Sequence, residues 1–377
     1  MADRPALDKA VALVGELVGD RAGGWDAAGH VPGEVLRGLG AAGVLCAEVP
    51  GRSGGIGLSS RENGELTAYA GTLCGSVRSV MTSQGMAAWI VQRLADPGQR
   101  DALLPELTGG RLAAVGFSEP GAGSDLAAMT TGIRADGDSV VVDGRKVWVT
   151  GACYADLLVV FGRYEGERHQ QGEGAAVLVP ATAPGVTVER VPDPLGCRAA
   201  GHANVRLDGV AVPAANVLGG GGRSLALLVT VALAYGRISV AWGCVGILRA
   251  CLRAAAEHAA TREQFGRRLA DHQLVARHLA DLLAAERIAT GACERASDGW
   301  DAGSPDLVAD TVLAKYVSAG HAARGAASAV QVLASAGAHD QHVVARAYRD
   351  AKLMEIIEGS SEICQLILAE RALDRPA

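Results

Sequence analysis

Phe117-Ser118-Glu119-Pro120-Gly121-Ala122-Gly123-Ser124-Asp125, followed by Val140-Val141-Val142-Asp143-Gly144-Arg145-Lys146-Val147-Trp148-Val149-Thr150-Gly151, is the stretch that decides the fold. Its valine-rich runs are β-type, and Asp143-Gly144 between them predicts a hairpin turn. Short apolar runs at Leu157 to Phe161, Ala176 to Val179 and Val186 to Val191 continue the β character. On either side the spacing becomes helical. Leu7, Val11, Val14, Leu17 and Val18 share one helix face, and Pro32 marks a helix start before Val35, Leu36 and Leu39. A glycine-rich loop, Gly51 to Gly57, precedes helices near 60–75 and 77–95. After Gly219 to Gly222 the chain reads as helical to its end, with Gly299, Gly303 and Pro305 parting two long helices. The expected organisation is a helical domain over 1–112, a β domain over 113–218 and a helical domain over 219–377. The fold class is α+β, mostly α. Strands do not alternate with helices, which argues against a doubly wound parallel sheet. No Gly-x-Gly-x-x-Gly joins a strand to a helix, so a dinucleotide would need another geometry.

The chain has 377 residues, enough for about two to three domains. Its 35 Lys and Arg against 41 Asp and Glu give a net charge of −6, which speaks against a nucleic-acid binder. Glycine is abundant but without period, so collagen is excluded. The start, Met1-Ala2-Asp3-Arg4-Pro5, shows no secretory pattern, and eight dispersed cysteines without a Cys-x-x-Cys read as reduced thiols of a cytoplasmic protein. The most apolar stretch, Leu225 to Leu248, is cut by Arg237 into two runs of about a dozen residues, which reads as a core helix and not a membrane span.

Four segments carry chemistry. The loop Phe117 to Asp125 brings small residues to a strand end, where backbone N–H groups can approach an anion; spacing alone would equally suit a β-turn. Trp148 and Thr150 stand two apart, on one side of a regular strand. Thr261-Arg262-Glu263-Gln264-Phe265-Gly266 is followed by Gln273. Ile356-Ile357-Glu358-Gly359-Ser360-Ser361-Glu362-Ile363 places a carboxylate after two isoleucines. Desolvation there would raise its pKa, as suits a general base, whereas alone it would read as a helix-end charge. His339-x-x-His342 lacks a third ligand nearby and reads as a solvated helix end, so no metal site is expected.

Taken in order, Ser118 to Asp125, Lys146 to Thr150, Arg262 to Gly266 with Gln273, and Glu358-Gly359-Ser360 resemble the flavin-dependent acyl-CoA dehydrogenase family, from the N-terminal helices through Arg371. The resemblance implies a helical domain, a middle β-barrel or sandwich, and a C-terminal four-helix bundle. It implies FAD lying between the β domain and the bundle. Ser118 and Thr150 would contact the isoalloxazine, Trp148 would pack beside it, and Ser124 would bind the pyrophosphate. Arg262, Phe265 and Gln331 would hold the adenine side of a neighbouring subunit's FAD, which implies a homodimer or homotetramer. Ser360 and Glu362, next to the base, join the expected cofactor contacts.

By the same resemblance Glu358 is the base that removes the α-proton of an acyl thioester while the β-hydride passes to flavin. A second branch keeps its base near Tyr235-Gly236-Arg237, but Leu233 to Ser239 contains no carboxylate. Arg237 aligns with an arginine close to the active site. The family's aromatics near Val115 and before the base are replaced by Val115 and Ile357, and its glycine pair by Ala334-Ser335. Arg78-Ser79-Val80-Met81-Thr82-Ser83-Gln84 is polar for the helix that lines the acyl pocket. It resembles the glutaryl branch, whose arginine pairs with a substrate carboxylate; a surface arginine is the bland alternative. Arg78 and Gln84 are thus candidate substrate contacts, for a short polar acyl group on coenzyme A or on acyl carrier protein. The chain also resembles the dehydrogenases that build hydroxymalonyl- or methoxymalonyl-type polyketide extender units. Electrons would leave to electron-transfer flavoprotein or oxygen. Flavin oxidases or monooxygenases of the same fold, and a flavin-free carrier-protein-binding scaffold, are the alternatives.

Overall fold

A computed structural model describes residues 4–165 and 173–373. Met1 to Asp3, part of the start read above for a secretory pattern, lie outside the described residues. Six helices open the chain: α1 (Arg4–Val18), α2 (Ala22–Ala28), α3 (Gly33–Ala41), α4 (Ser60–Leu73), α5 (Gly75–Leu94) and α6 (Pro97–Thr108). Their starts follow local chemistry. Ser59 before α4 and Asp96 before α6 each accept a backbone N–H, and Glu62 and Gln99 answer reciprocally. Nearly all of α5 is buried, including Arg78, Ser79, Thr82, Ser83 and Gln84. Those polar groups therefore act inside the protein.

Eight strands follow: β1 (Ala113–Gly116), β2 (Gly132–Asp136), β3 (Ser139–Val149), β4 (Leu157–Glu165), β5 (Glu173–Pro180), β6 (Val186–Arg190), β7 (Ala203–Pro213) and β8 (Arg223–Ser224). The sheet order is β6-β7-β3-β2-β4-β5-β8, with β1 parallel to β4. Alternation explains how this sheet serves two cores. Leu157, Val159 and Phe161 of β4 join the helical core, whereas Leu158 and Val160 pack with Val140, Val142 and Val205.

The hairpin expected at Asp143-Gly144 does not form. Residues 139–149 are one strand, irregular in register between Val142 and Gly144 and again between Lys146 and Val149. The turn lies earlier, at Gly137 (φ 60°), between β2 and β3. Gly144 serves close approach instead, since a Cβ there would stand 2.3 Å from Thr131 Oγ1.

The remainder is helical: α7 (Leu225–Thr261), a small hairpin of β9 (Glu263–Gln264) and β10 (Arg267–Arg268), then α8 (Gln273–Asp301), α9 (Leu307–Leu333), α10 (Val343–Met354) and α11 (Ser361–Leu373). By length and composition α7 could cross a membrane, but 72% of its most apolar window is buried inside the fold. It packs on α9, α8, α4 and α5. Helices thus flank the sheet on both sides in sequence, as the spacing predicts.

Candidate active site

Between the β1 and β3 ends, α5, α7 and the α10–α11 loop lies a cavity of about 1150 Å³. That exceeds the roughly 300–1,000 Å³ of a usual single-ligand pocket. Ser118, Ser124, Trp148, Thr150 and Ser360 line it. Arg78, Arg237 and Glu358 line the same cavity, as do Val115 and Ile357. Residues more than two hundred positions apart in sequence therefore meet in one space.

Glu358 sits in the loop between α10 and α11 with φ 55°, followed by Gly359 at φ 94°. The residue borders the cavity, yet its Oε2 is sealed from solvent and has no hydrogen-bond partner among the described residues. Burial pushes its carboxyl up to about 7, against the opposing pull of Arg237, Lys315 and Arg78. Gly236 of α7 makes room for it, since a Cβ there would stand 2.2 Å from Glu358 Oε2. Arg237 Nε donates to the Glu358 carbonyl at 3.1 Å. That contact explains the charge placed inside the apolar α7.

Arg78 is 1% exposed and is not the surface charge of the bland alternative. Its guanidinium donates to Thr82 Oγ1 at 3.4 Å, Cys197 Sγ at 3.8 Å and Met354 Sδ at 3.1 Å. Sulfur and hydroxyl are weak acceptors for a full charge. It makes no ion pair among the described residues. It crosses α7 at Gly243, where a Cβ would fall 2.7 Å from Arg78 Cδ. Gln84 behaves differently and corrects the expectation of a substrate contact. Its Nε2 donates to the Leu107 and Arg111 carbonyls and its Oε1 accepts from Ala113 N. The amide is spent on tying α5 to α6 and β1, and Gln84 does not line the cavity.

Three further residues went unmarked as site groups in the sequence. His202 lines the cavity, with Nδ1 3.2 Å from Thr150 Oγ1 and its ring 5.9 Å from that of Trp148. Burial, with the Arg78 and Arg190 charges, pulls it down to about 4, so it is neutral at physiological pH. Glu119 and Lys146, both buried, form an ion pair of 2.8 Å beneath the Ser118 loop. Burial alone would raise Glu119, but hydrogen bonds from Lys146, Thr131 and Thr130 hold it well below the usual carboxylate range. Lys146 also donates to the Phe117 carbonyl, so this pair fixes the loop that carries Ser118. Both lie inside motifs quoted above, but a strand lysine and a loop glutamate give no sign of pairing in sequence.

Trp148 and Thr150 do share the cavity, though not by strand alternation. Trp148 has φ 56° at the second register shift, which turns its half-exposed indole toward the site. Arg262 and Glu362 are exposed, Gln331 lies on an exposed part of α9, and Phe265 is 95% exposed at the β9–β10 turn. None of these four lines the cavity. His342 caps α10 by accepting Val344 N.

The residues present suit FAD. Hydroxyls of Ser118, Ser124 and Thr150 in the lining offer hydrogen bonds, and Trp148 offers a flat face. Gly121 and Gly123 leave open space where side chains would stand.

Comparison with known proteins agrees. The acyl-CoA dehydrogenase N-terminal, middle and C-terminal domains match residues 4–111, 114–210 and 226–373. Glutaryl-CoA dehydrogenase of Desulfococcus multivorans is 30% identical over 92% of this chain and 90% of its own length. The structure of FkbI, for biosynthesis of the methoxymalonyl extender unit of the FK520 polyketide, is 64% identical, with TM-score 0.92 over 97% of this chain and 99% of that one. Butyryl-CoA dehydrogenase from Megasphaera elsdenii is 25% identical, with TM-score 0.92 over 99% of both chains.

Proposed function

The chain belongs to the acyl-CoA dehydrogenase family, and from that premise we propose that it oxidises a short, polar acyl thioester whose far end carries a carboxylate held by Arg78. As a member it is an FAD-dependent oxidoreductase of CH–CH bonds, and the family implies an acyl thioester and an acceptor of the electron-transfer-flavoprotein type. The observation that carries the finer reading is the buried, ion-pair-free Arg78 in the same cavity as Glu358. A guanidinium removed from water needs an anion, and its fork suits a carboxylate in bidentate contact.

In this reading Glu358 removes the α-proton. Its apolar surroundings hold the carboxyl near neutrality, where a base is half available. Bound FAD supplies the acceptor for the β-hydride. Ser118, Ser124 and Thr150 bind it, Trp148 packs against it, and Arg237 holds the backbone of the base. Arg262, Phe265 and Gln331 lie exposed and away from the cavity, which supports their serving a second copy's cofactor in a homodimer or homotetramer. The likeness to FkbI supports extender-unit chemistry on a short polar acyl group, with coenzyme A or acyl carrier protein carrying the thioester. A β-hydride requires that the carboxylate read by Arg78 lie beyond Cβ, so that substrate is longer than malonyl. Eight free thiols support a reducing cytoplasm.

The test is anaerobic flavin bleaching by carboxylated and uncharged acyl thioesters, on coenzyme A and on carrier protein, with wild type and Arg78→Ala. The reading expects Arg78→Ala to lose the carboxylated substrate selectively. Equal losses on both substrates would make Arg78 structural.

A further inference from the structure

The base occupies an unfavourable backbone. Glu358 holds a left-handed φ, which a residue with a Cβ adopts only where its surroundings impose it. Hydrogen bonds local to the loop flank the base without reaching its own carbonyl: Ile356 N and Ile357 N donate to Leu353 O, Ser361 N and Oγ to Glu355 O, and Cys364 Sγ weakly to Gly359 O at 3.7 Å. Two cations from other helices add charged donors to these. Arg237 of α7 reaches the Glu358 carbonyl. Lys315 of α9 reaches past it on either side, with Nζ donating to Gly359 O at 2.6 Å and to Glu355 O at 3.4 Å.

Lys315 is fully buried and forms no ion pair among the described residues. Burying an ammonium among backbone carbonyls alone is costly, so its placement needs a reason. The carbonyls it holds bracket the base. We propose that Lys315 is a positioning residue for Glu358: its ammonium ties the Glu355 and Gly359 carbonyls together, fixing the left-handed backbone that aims the carboxylate at Gly236. The inference rests on Glu358 being the base.

The charged and titratable groups facing Glu358 come from four elements: Arg78 on α5, Arg237 on α7, Lys315 on α9, and Cys364 on α11 beside both Arg237 and Lys315. Removing Lys315 takes away one of three cations that favour the carboxylate. The ascending limb of rate against pH should then move upward, on the order of one unit.

The experiment uses FAD-loaded Lys315→Met and Lys315→Arg, with anaerobic flavin reduction by an acyl thioester followed from pH 6 to 9. Lys315→Met should keep its flavin, reduce it at least about tenfold more slowly at the plateau, and show the displaced limb. Lys315→Arg keeps charge and donors, and should restore the wild-type limb. An unchanged rate and limb in Lys315→Met would overturn the proposal, as would a displaced limb in Lys315→Arg. Loss of fold or flavin in both variants would also overturn it, because Lys315 would then belong to the fold alone. Glu358→Gln run beside them separates the two readings. Near wild-type flavin reduction in that variant defeats the assignment of the base, whatever Lys315 does.

Discussion

Replacing Glu358 with glutamine should change how stability depends on pH, and the size of the change follows from the site. In the unfolded chain this carboxyl titrates near its ordinary 4.5, and in the folded chain near 7. Below the lower value it is neutral in both states, and folding loses nothing. As pH rises toward 7 the unfolded chain ionises first, so the stability conferred by the protonated group falls. Above 7 the loss is complete. At about 1.36 kcal/mol per pH unit the loss reaches about 3 kcal/mol, or about 2–3 allowing for the cavity beside the loop. An unfolding entropy of about 2.1 cal/mol/K per residue over 377 residues turns this into about 3 °C. Glutamine keeps the shape and removes the titration. Thermal unfolding of FAD-saturated wild type and Glu358→Gln from pH 5 to 8.5 should show the variant gaining by about that amount at the alkaline end, with saturating FAD removing any linkage to cofactor loss. Parallel curves would mean Glu358 titrates as an ordinary surface carboxyl, and the desolvation argument would fail.

Glu119→Gln breaks the buried pair with Lys146 and should destabilise the protein by about 3–5 kcal/mol, read as a lowered Tm together with weaker flavin retention. An unchanged Tm would show that the loop stands without it. Gly243→Ala places a methyl against Arg78 and should raise KM for a carboxylated thioester by about tenfold, on the order of 1.4 kcal/mol, while leaving flavin content and turnover of an uncharged thioester alone. Equal effects on both substrates would contradict the role given to Arg78.

Much of this architecture is written locally in the chain. The helical spacing of Leu7 to Val18 and the apolar runs of β4 and β5 each act within a few residues, and each forms the element its pattern predicts; the caps at Ser59 and Asp96, found in the structure, are equally local. Asp143-Gly144 shows the limit. Its turn chemistry is real, but pairing with β7 and the close approach of Thr131 outweigh it, and both partners are distant in sequence. The burial of Arg78 is tertiary in the same way, because the space for its side chain is made by a glycine on α7. Gln84 looks like a pocket residue by its place on α5, yet three backbone groups claim its amide. His202 carries no motif, and only the folded sheet brings it to Thr150. Glu358 is legible through its apolar neighbours, but its left-handed backbone and the cations around it are not.

The proposed mechanism turns on Glu358 acting as the base of an FAD-dependent acyl-thioester dehydrogenase. The most direct test is stopped-flow bleaching of bound flavin, under nitrogen, by a carboxylated acyl thioester. Wild type should bleach. Glu358→Gln, equally yellow and folded, should remain oxidised on the same timescale, and near wild-type bleaching by the variant would show that another group takes the proton.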